Sequence, residues 1–208
     1  MWREKAEVPS WLSVSRETLE KLFSYGDLVE KWNPAVNLIS KSGVPDLWSR
    51  HILDSAQIML QAPDAATTWC DLGSGGGFPG IVLAILANEL QPKLSMTMVE
   101  SDRRKSVFLS EALRHLGITA IIKTERIEAL MPQNADVLTA RALAPLPQLC
   151  SYAHRHLSPT GVALFPKGAA TAQEITAARA DWQFDSSEMQ SLTEHNARIV
   201  AIRNLRHA

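Results

Sequence analysis

"CDLGSGGGFPGIVLAI" (70–85) sets a glycine-crowded turn between two apolar runs. The residues leading into it, "TTWCDL" (67–72), read as a short strand, and "GIVLAILANEL" (80–90) reads as a helix with Pro79 near its first turn. A strand that breaks through glycines into a helix lets the backbone approach a nucleotide-like ligand. A triphosphate loop needs GxxxxGK[ST]. Gly75 to Gly80 has that spacing, but Ile81 and Val82 stand where Lys and a hydroxyl residue belong. That ligand is excluded.

Downstream the same grammar repeats. Strands are expected at 94–100, 118–124, 135–141 and 161–168, and helices at 102–116 (closed by Gly117), 126–131, 145–157 and 169–180. Two further extended runs near the C-terminus suit an antiparallel hairpin at one sheet edge. Alternating strands and helices predict an α/β fold, a mostly parallel sheet with right-handed crossovers and helices on both faces. Upstream, apolar spacing predicts a helix over 9–33, with Ser13 or Ser15 as N-cap and Asn33–Pro34 as its stop, and a second over 45–61. Residues 1–63 are therefore expected to form an N-terminal helical cap on a unit spanning 64–208, in one compact body.

The 208 residues suffice for one substantial core, and 46% hydrophobic with 21% charged residues is an ordinary globular balance. The N-terminal "MWREKAEVPSWL" lacks a signal-peptide apolar stretch. The longest apolar run, "IVLAILA" (81–87), is far too short for a membrane span. Cys70 and Cys150 offer neither a disulfide framework nor a CxxC pair. A cytoplasmic enzyme or binding domain is the expectation. The net charge of -1 argues against indiscriminate coating of nucleic acid. Basic clusters remain at Arg103–Arg104–Lys105, at Lys123 with Arg126, and at Arg198, Arg203 and Arg206.

Two registers of the glycine loop compete. A dinucleotide fingerprint can be laid on Gly75, Gly77 and Gly80 with Glu100 as ribose acceptor, but it puts Pro79 where helix amides should face a pyrophosphate. The other starts at Asp71 and runs through Gly73, Gly75 and Gly77. It resembles motif I of the S-adenosylmethionine-dependent methyltransferases of Rossmann-like fold. Glycines then admit the cofactor's amino-acid part and ribose, Asp71 offers an acceptor near its cationic groups, and Glu100 takes the ribose hydroxyls.

The blocks "WNPAVNLIS" (32–40), "SRHILDS" (49–55), the glycine loop, "ESDRRKSVFL" (100–109), "RIEAL" (126–130) and "TARALAPL" (139–146) are similar, in order, to those of the RsmG family, also called glucose-inhibited division protein B. The resemblance implies methylation of guanine N7 in 16S ribosomal RNA, at the guanosine of position 527 in standard rRNA numbering. It implies S-adenosyl-L-methionine as cofactor, with contacts from Gly73, Phe78, Ile127 and Glu128. The expected partner is 16S rRNA within the small ribosomal subunit or an assembly intermediate. A monomer is expected, with no membrane and no metal. Methyl transfer to another RNA, a protein or a small molecule is the alternative.

The reaction chemistry agrees with the side chains. An adenine amino-methylation loop (Asp/Asn-Pro-Pro-aromatic) does not follow the fourth strand, where "ARALAP" stands. Neither cysteine has the context of a cytosine-attacking nucleophile. Guanine N7 carries a lone pair and no proton, so the reaction asks for alignment rather than a general base. Arg141, ending the fourth strand, is expected nearest the reacting centre, positioning cofactor or base, unless it pairs with Asp71 or Glu128. Asn37, Arg50 and His51 are candidates for RNA or active-site contact as against packing of the cap, with Arg50 and Asp54 also spaced to pair along a helix. Lys167, Arg103, Arg104 and Lys105 are candidates for phosphate contacts.

Overall fold

The computed structural model describes residues 2–208; residue 1 of the expected cap lies outside them. Five strands, β1 (Thr68–Leu72), β2 (Ser95–Val99), β3 (Ile121–Lys123), β4 (Ala135–Thr139) and β5 (Leu157–Lys167), run parallel to one another. Two more, β6 (Trp182–Gln190) and β7 (Arg198–His207), pair antiparallel, and β7 docks antiparallel on β5. The sheet order is β3-β2-β1-β4-β5-β7-β6. The order reverses between β1 and β4, and the glycine turn leaves β1 at that point. The doubly wound sheet and its terminal hairpin are those the strand–helix alternation predicts.

Helix α1 (Arg16–Val36) starts where Ser15 caps it, accepting from the Thr18 amide at 3.1 Å. The expectation of a helix from residue 9 is corrected, because the Ser15 backbone and hydroxyl are held outside the helix by Glu89. The expected stop at Asn33–Pro34 is corrected as well. Pro34 lies inside the last turn, and the helix ends at Asn37, left-handed at φ 55°. Asn33 still marks the end: its Oδ1 accepts from the Leu38 and Ile39 amides, which turn the chain away.

The helix expected at 45–61 is instead four short pieces: 3₁₀ turns over Lys41–Asp46, a π turn over Trp48–Leu53, the single α turn α2 (Asp54–Ala56), and a 3₁₀ stretch over Gln57–Gln61. Changing hydrogen-bond period lets this segment bury Leu47, Trp48, Ile52 and Ile58. The span 126–131 makes only one turn, closed by the Ala129 and Leu130 amides on Arg126 O.

Helix α3 (Gly80–Leu90) is buried all round from Gly80 to Ala87, because α1 and α2 cover the face turned away from the sheet. Helix α4 (Arg103–Leu116) matches its sequence signals, capped by Asp102 on the Arg104 and Lys105 amides and ended by left-handed Gly117. Helices α5 (Leu146–His156) and α6 (Thr171–Ala178) follow β4 and β5. No helix among the described residues is long and apolar enough to cross a membrane.

Candidate functional site

Two hollows open where the strand order reverses. A cavity of about 280 Å³ is lined by Gly73, Gly75, Glu100, Ile127, Glu128 and Tyr152, among others. A broader groove of about 740 Å³ runs between the segment 40–54 and the ends of β4 and β5, reaching the β6–β7 turn at Thr193 and Glu194. Arg141 and Ala142 line both. They form the wall between the two.

The glycine loop owes its shape to what lies beneath it. Asp71 is fully buried and lines neither hollow. Its carboxylate accepts from Ser74 Oγ at 2.6 Å and Thr139 Oγ1 at 2.8 Å, and Thr139 in turn accepts from Trp69 Nε1 at 3.1 Å. Burial pushes its pKa up to about 6 against these bonds. The structure thus places Asp71 as a brace under the turn. Gly77, at φ 86°, is also structural, since a Cβ there would meet Ile81 and the Tyr25 hydroxyl at 2.5 and 2.6 Å.

Gly75 differs. At φ 57° its nearest neighbour to an added Cβ is Gly73 O at 3.7 Å, so its open face looks into the cavity. Its amide donates to Glu100 Oε2 at 2.8 Å, and Glu100 Oε1 accepts from the Asp102 amide at 2.7 Å. Across the cavity, Tyr152 donates its hydroxyl to Glu128 Oε1 at 2.6 Å, holding that carboxyl below the usual range. Ile127 supplies an apolar wall and is fixed through its carbonyl by His156. Open glycine backbone, one carboxylate on each side and an apolar wall suit a ligand with hydroxyls, a cationic group and a flat ring.

Arg141 has partners that differ from both expected ones. Its Nη1 donates to Asp54 Oδ2 at 3.2 Å and to Arg50 O at 3.1 Å, and its Nη2 meets His51 Nδ1 at 2.9 Å. Its guanidinium also lies 5.3 Å from the centre of the Phe78 ring. With Arg141 donating, His51 Nδ1 accepts and the proton sits on Nε2. Burial, then the charges of Arg141 and Arg50, lower the His51 pKa to about 4, so the imidazole is neutral. Phe78 lines neither hollow; it packs between Tyr25, His51 and Arg141. Ala142, left-handed at φ 51°, carries strain of about 1–2 kcal/mol at this wall.

The remaining candidates separate. Arg50 and His51 line the groove; Asn37 does not. Arg50 pairs with Asp46, 3.7 Å away, rather than with Asp54. Lys167 lines the groove but is neutralised by Glu174 at 2.7 Å. Lys105 faces the small cavity, Arg104 pairs with Asp102, and Arg103 lies beside Trp32 on a separate surface hollow. Sequence reasoning missed Tyr152 and Thr193, since each meets its partner only through the tertiary fold. Among the described residues no cluster of three or more His, Cys, Asp or Glu is placed to hold a metal ion.

A family model described as "GidB: rRNA small subunit methyltransferase G" matches residues 18–205. The chain is 50% identical over 196 residues to a Cereibacter sphaeroides protein named Ribosomal RNA small subunit methyltransferase G, covering 94% of this chain and 95% of that protein. It is 51% identical over 191 residues to the protein of the same name from Ruegeria pomeroyi, covering 92% and 93%. Among solved structures it is similar to a TehB-like SAM-dependent methyltransferase from Corynebacterium glutamicum, with TM-score 0.55, 14% identity and coverage of 87% and 98%. It is also similar to a SAM-dependent methyltransferase from Aquifex aeolicus, with TM-score 0.58, 12% identity and coverage of 76% and 93%. At these identities the structural likeness is one of fold.

Proposed function

Since the chain belongs to the rRNA small subunit methyltransferase G family, and so methylates ribosomal RNA of the small subunit with S-adenosylmethionine, we propose that its target atom is N7 of a guanine, the guanosine of position 527 in standard rRNA numbering. One observation carries the reading: Arg141 and Ala142 are shared by a small cavity with cofactor chemistry and a broad groove large enough for a nucleotide. Two reactants held in adjoining hollows can meet only at that wall.

The residues present fit the cofactor. Gly75 gives open backbone and Gly73 lines the same cavity beneath Leu143, Glu100 offers its remaining lone pairs to ribose hydroxyls, and Ile127 and Glu128 bracket a purine edge. When bound, S-adenosylmethionine supplies an electrophilic methyl group on a sulfonium sulfur. Transfer to guanine N7 would form one C–N bond and break one S–C bond, leaving the positive charge on the purine and asking no residue of the chain to take a proton.

The chain's part is therefore alignment. Arg141 holds the wall through Asp54, His51 and the Arg50 carbonyl. His51, neutral with its acceptor nitrogen engaged, adds no positive charge to a site where the base acquires one. Arg50 and Lys167 lie on the groove that the RNA would enter. On this reading the enzyme works as a monomer in the cytoplasm, on the small ribosomal subunit or an assembly intermediate, with residues 1–63 capping the unit 64–208.

The test is methyl transfer from labelled S-adenosylmethionine to small subunits and to protein-free rRNA lacking the modification, followed by nucleoside mass spectrometry. Label recovered as 7-methylguanosine at one position is expected. Label on another base or on ribosomal protein would overturn the proposal.

A further inference from the structure

Arg141 reaches its place only by leaning on the N-terminal segment. Its three polar partners, Arg50 O, His51 Nδ1 and Asp54 Oδ2, all come from one stretch, and Asp54 alone among them carries negative charge. The π turn over Trp48–Leu53 brings His51 and Asp54, three residues apart, onto the same guanidinium. Because Arg50 is taken by Asp46, Asp54 is left to Arg141. Both side chains are largely buried, 19% and 16% exposed, so this charge-assisted bond is shielded from water.

Asp54 is itself over-determined. Its second oxygen, Oδ1, accepts from Gln57 Nε2 at 2.9 Å and from Thr193 Oγ1 at 3.0 Å. Gln57 is buried, donates also to Ser191 Oγ at 3.0 Å, and accepts from the Leu192 amide at 2.7 Å. The turn between β6 and β7 thus reaches across the molecule to fix one carboxylate on the far side of the groove.

We infer that Asp54 is a positioning residue that holds Arg141 on the wall between the cavity and the groove, and that Gln57 and Thr193 set the carboxylate for that task. The inference rests on the proposed methyl transfer for its kinetic consequence, not for its geometry. One Asp54 oxygen faces Arg141 and the other is occupied. Removing the charge leaves the guanidinium only the neutral acceptors Arg50 O and His51 Nδ1, so it loosens while the wall stays in place. A misaligned positioning group of this kind lowers the chemical step and leaves cofactor binding, which uses the glycine loop and Glu100, nearly as it was.

The experiment compares wild type with Asp54→Asn, Arg141→Ala, the double variant, and Thr193→Val beside Thr193→Ser. Side-chain nitrogen NMR reports whether the Arg141 guanidinium is restricted, and requires no catalysis. Steady-state methyl transfer supplies kcat and KM. Asp54→Asn is expected to show a less restricted Arg141 guanidinium and a kcat lower by roughly ten- to a hundredfold, with S-adenosylmethionine affinity within about threefold. In the Arg141→Ala background the same substitution is expected to cost nothing further. Thr193→Val should share the defect in milder form and Thr193→Ser should restore it.

An Arg141 guanidinium as restricted in Asp54→Asn as in wild type would overturn the inference. So would an undiminished loss of kcat on adding Asp54→Asn to Arg141→Ala. Should Asp54→Asn fail to fold, the Thr193 pair decides by the same two measurements. Wild-type protein inactive on small-subunit RNA would overturn the proposed function instead, while the NMR comparison still decides the role of Asp54.

Discussion

Glu100 accepts the amide proton of Gly75 at 2.8 Å, which ties the end of β2 to the loop after β1 across the floor of the small cavity. A carboxylate introduced at residue 75 would enter the cavity beside the one already there. Gly75→Asp is therefore expected to abolish S-adenosylmethionine binding by steric overlap and like charge. The fold should survive, because an added Cβ meets nothing closer than 3.7 Å and the left-handed backbone costs only about 1–2 kcal/mol. Isothermal calorimetry and a melting curve check both halves. Undiminished affinity would refute the assignment of the cavity.

Asp71 and His51 give opposite pH signatures. The Asp71 pKa is raised from 3.8 to about 6 by burial, so the folded state binds more protons than the unfolded one in between. Its stabilising contribution is full below about pH 4 and is lost as pH rises through 6. His51, lowered from 6.5 to about 4, has the reverse sign: its contribution is present above 6.5 and is lost as pH falls towards 4. His156, also held below its ordinary value, acts in the same direction as His51. Urea midpoints between pH 4 and 6.5 should rise more steeply with pH in Asp71→Asn than in wild type, and less steeply in His51→Gln. Parallel profiles for all three proteins would contradict the burial argument.

Tyr152→Phe removes the hydroxyl that orients Glu128. A few-fold weaker affinity for S-adenosylmethionine is expected, with little change in kcat at saturation, since the hydroxyl's partners are Glu128 and Gln148 rather than Arg141. A fall in kcat without a change in affinity would place Glu128 elsewhere in the reaction.

Both cysteines are buried, and burial raises each thiol to about 12. Neither is expected to react with a chromogenic disulfide reagent at neutral pH in the folded protein, and both should react in denaturant. Rapid labelling of Cys70 in native buffer would mean that β1 opens.

Elements with complete local signals were legible from their residues. Helix α4 carries Asp102 as cap and Gly117 as stop, and its bounds agree with expectation to one residue. The terminal hairpin was also legible as two extended runs. Pro34 misled because a proline in the last turn removes only one hydrogen bond, and Asn33 ends the helix through its side chain three residues later. The segment 41–61 misled because its apolar spacing is helical on average, while its hydrogen bonds change period to bury Leu47, Trp48, Ile52, Leu53, Ile58 and Met59 at once.

Within the site, the strand-end positions of Glu100 and Arg141 were readable from topology alone. The partner of Arg141 was not. Spacing offered Arg50 to Asp54, whereas three-dimensional proximity gave Asp46 to Arg50 and Asp54 to Arg141. Asp71 was legible as important and misjudged in orientation, since motif position cannot say whether a strand-end carboxylate points up into a cavity or down into Thr139 and Ser74.

The turn between β6 and β7 makes the order of synthesis matter. Thr193 is bonded to a residue made 139 positions earlier, so Asp54 is synthesised well before the hydroxyl that holds its second oxygen. The last of the Asp54 hydrogen bonds is therefore completed only once the final hairpin is in place.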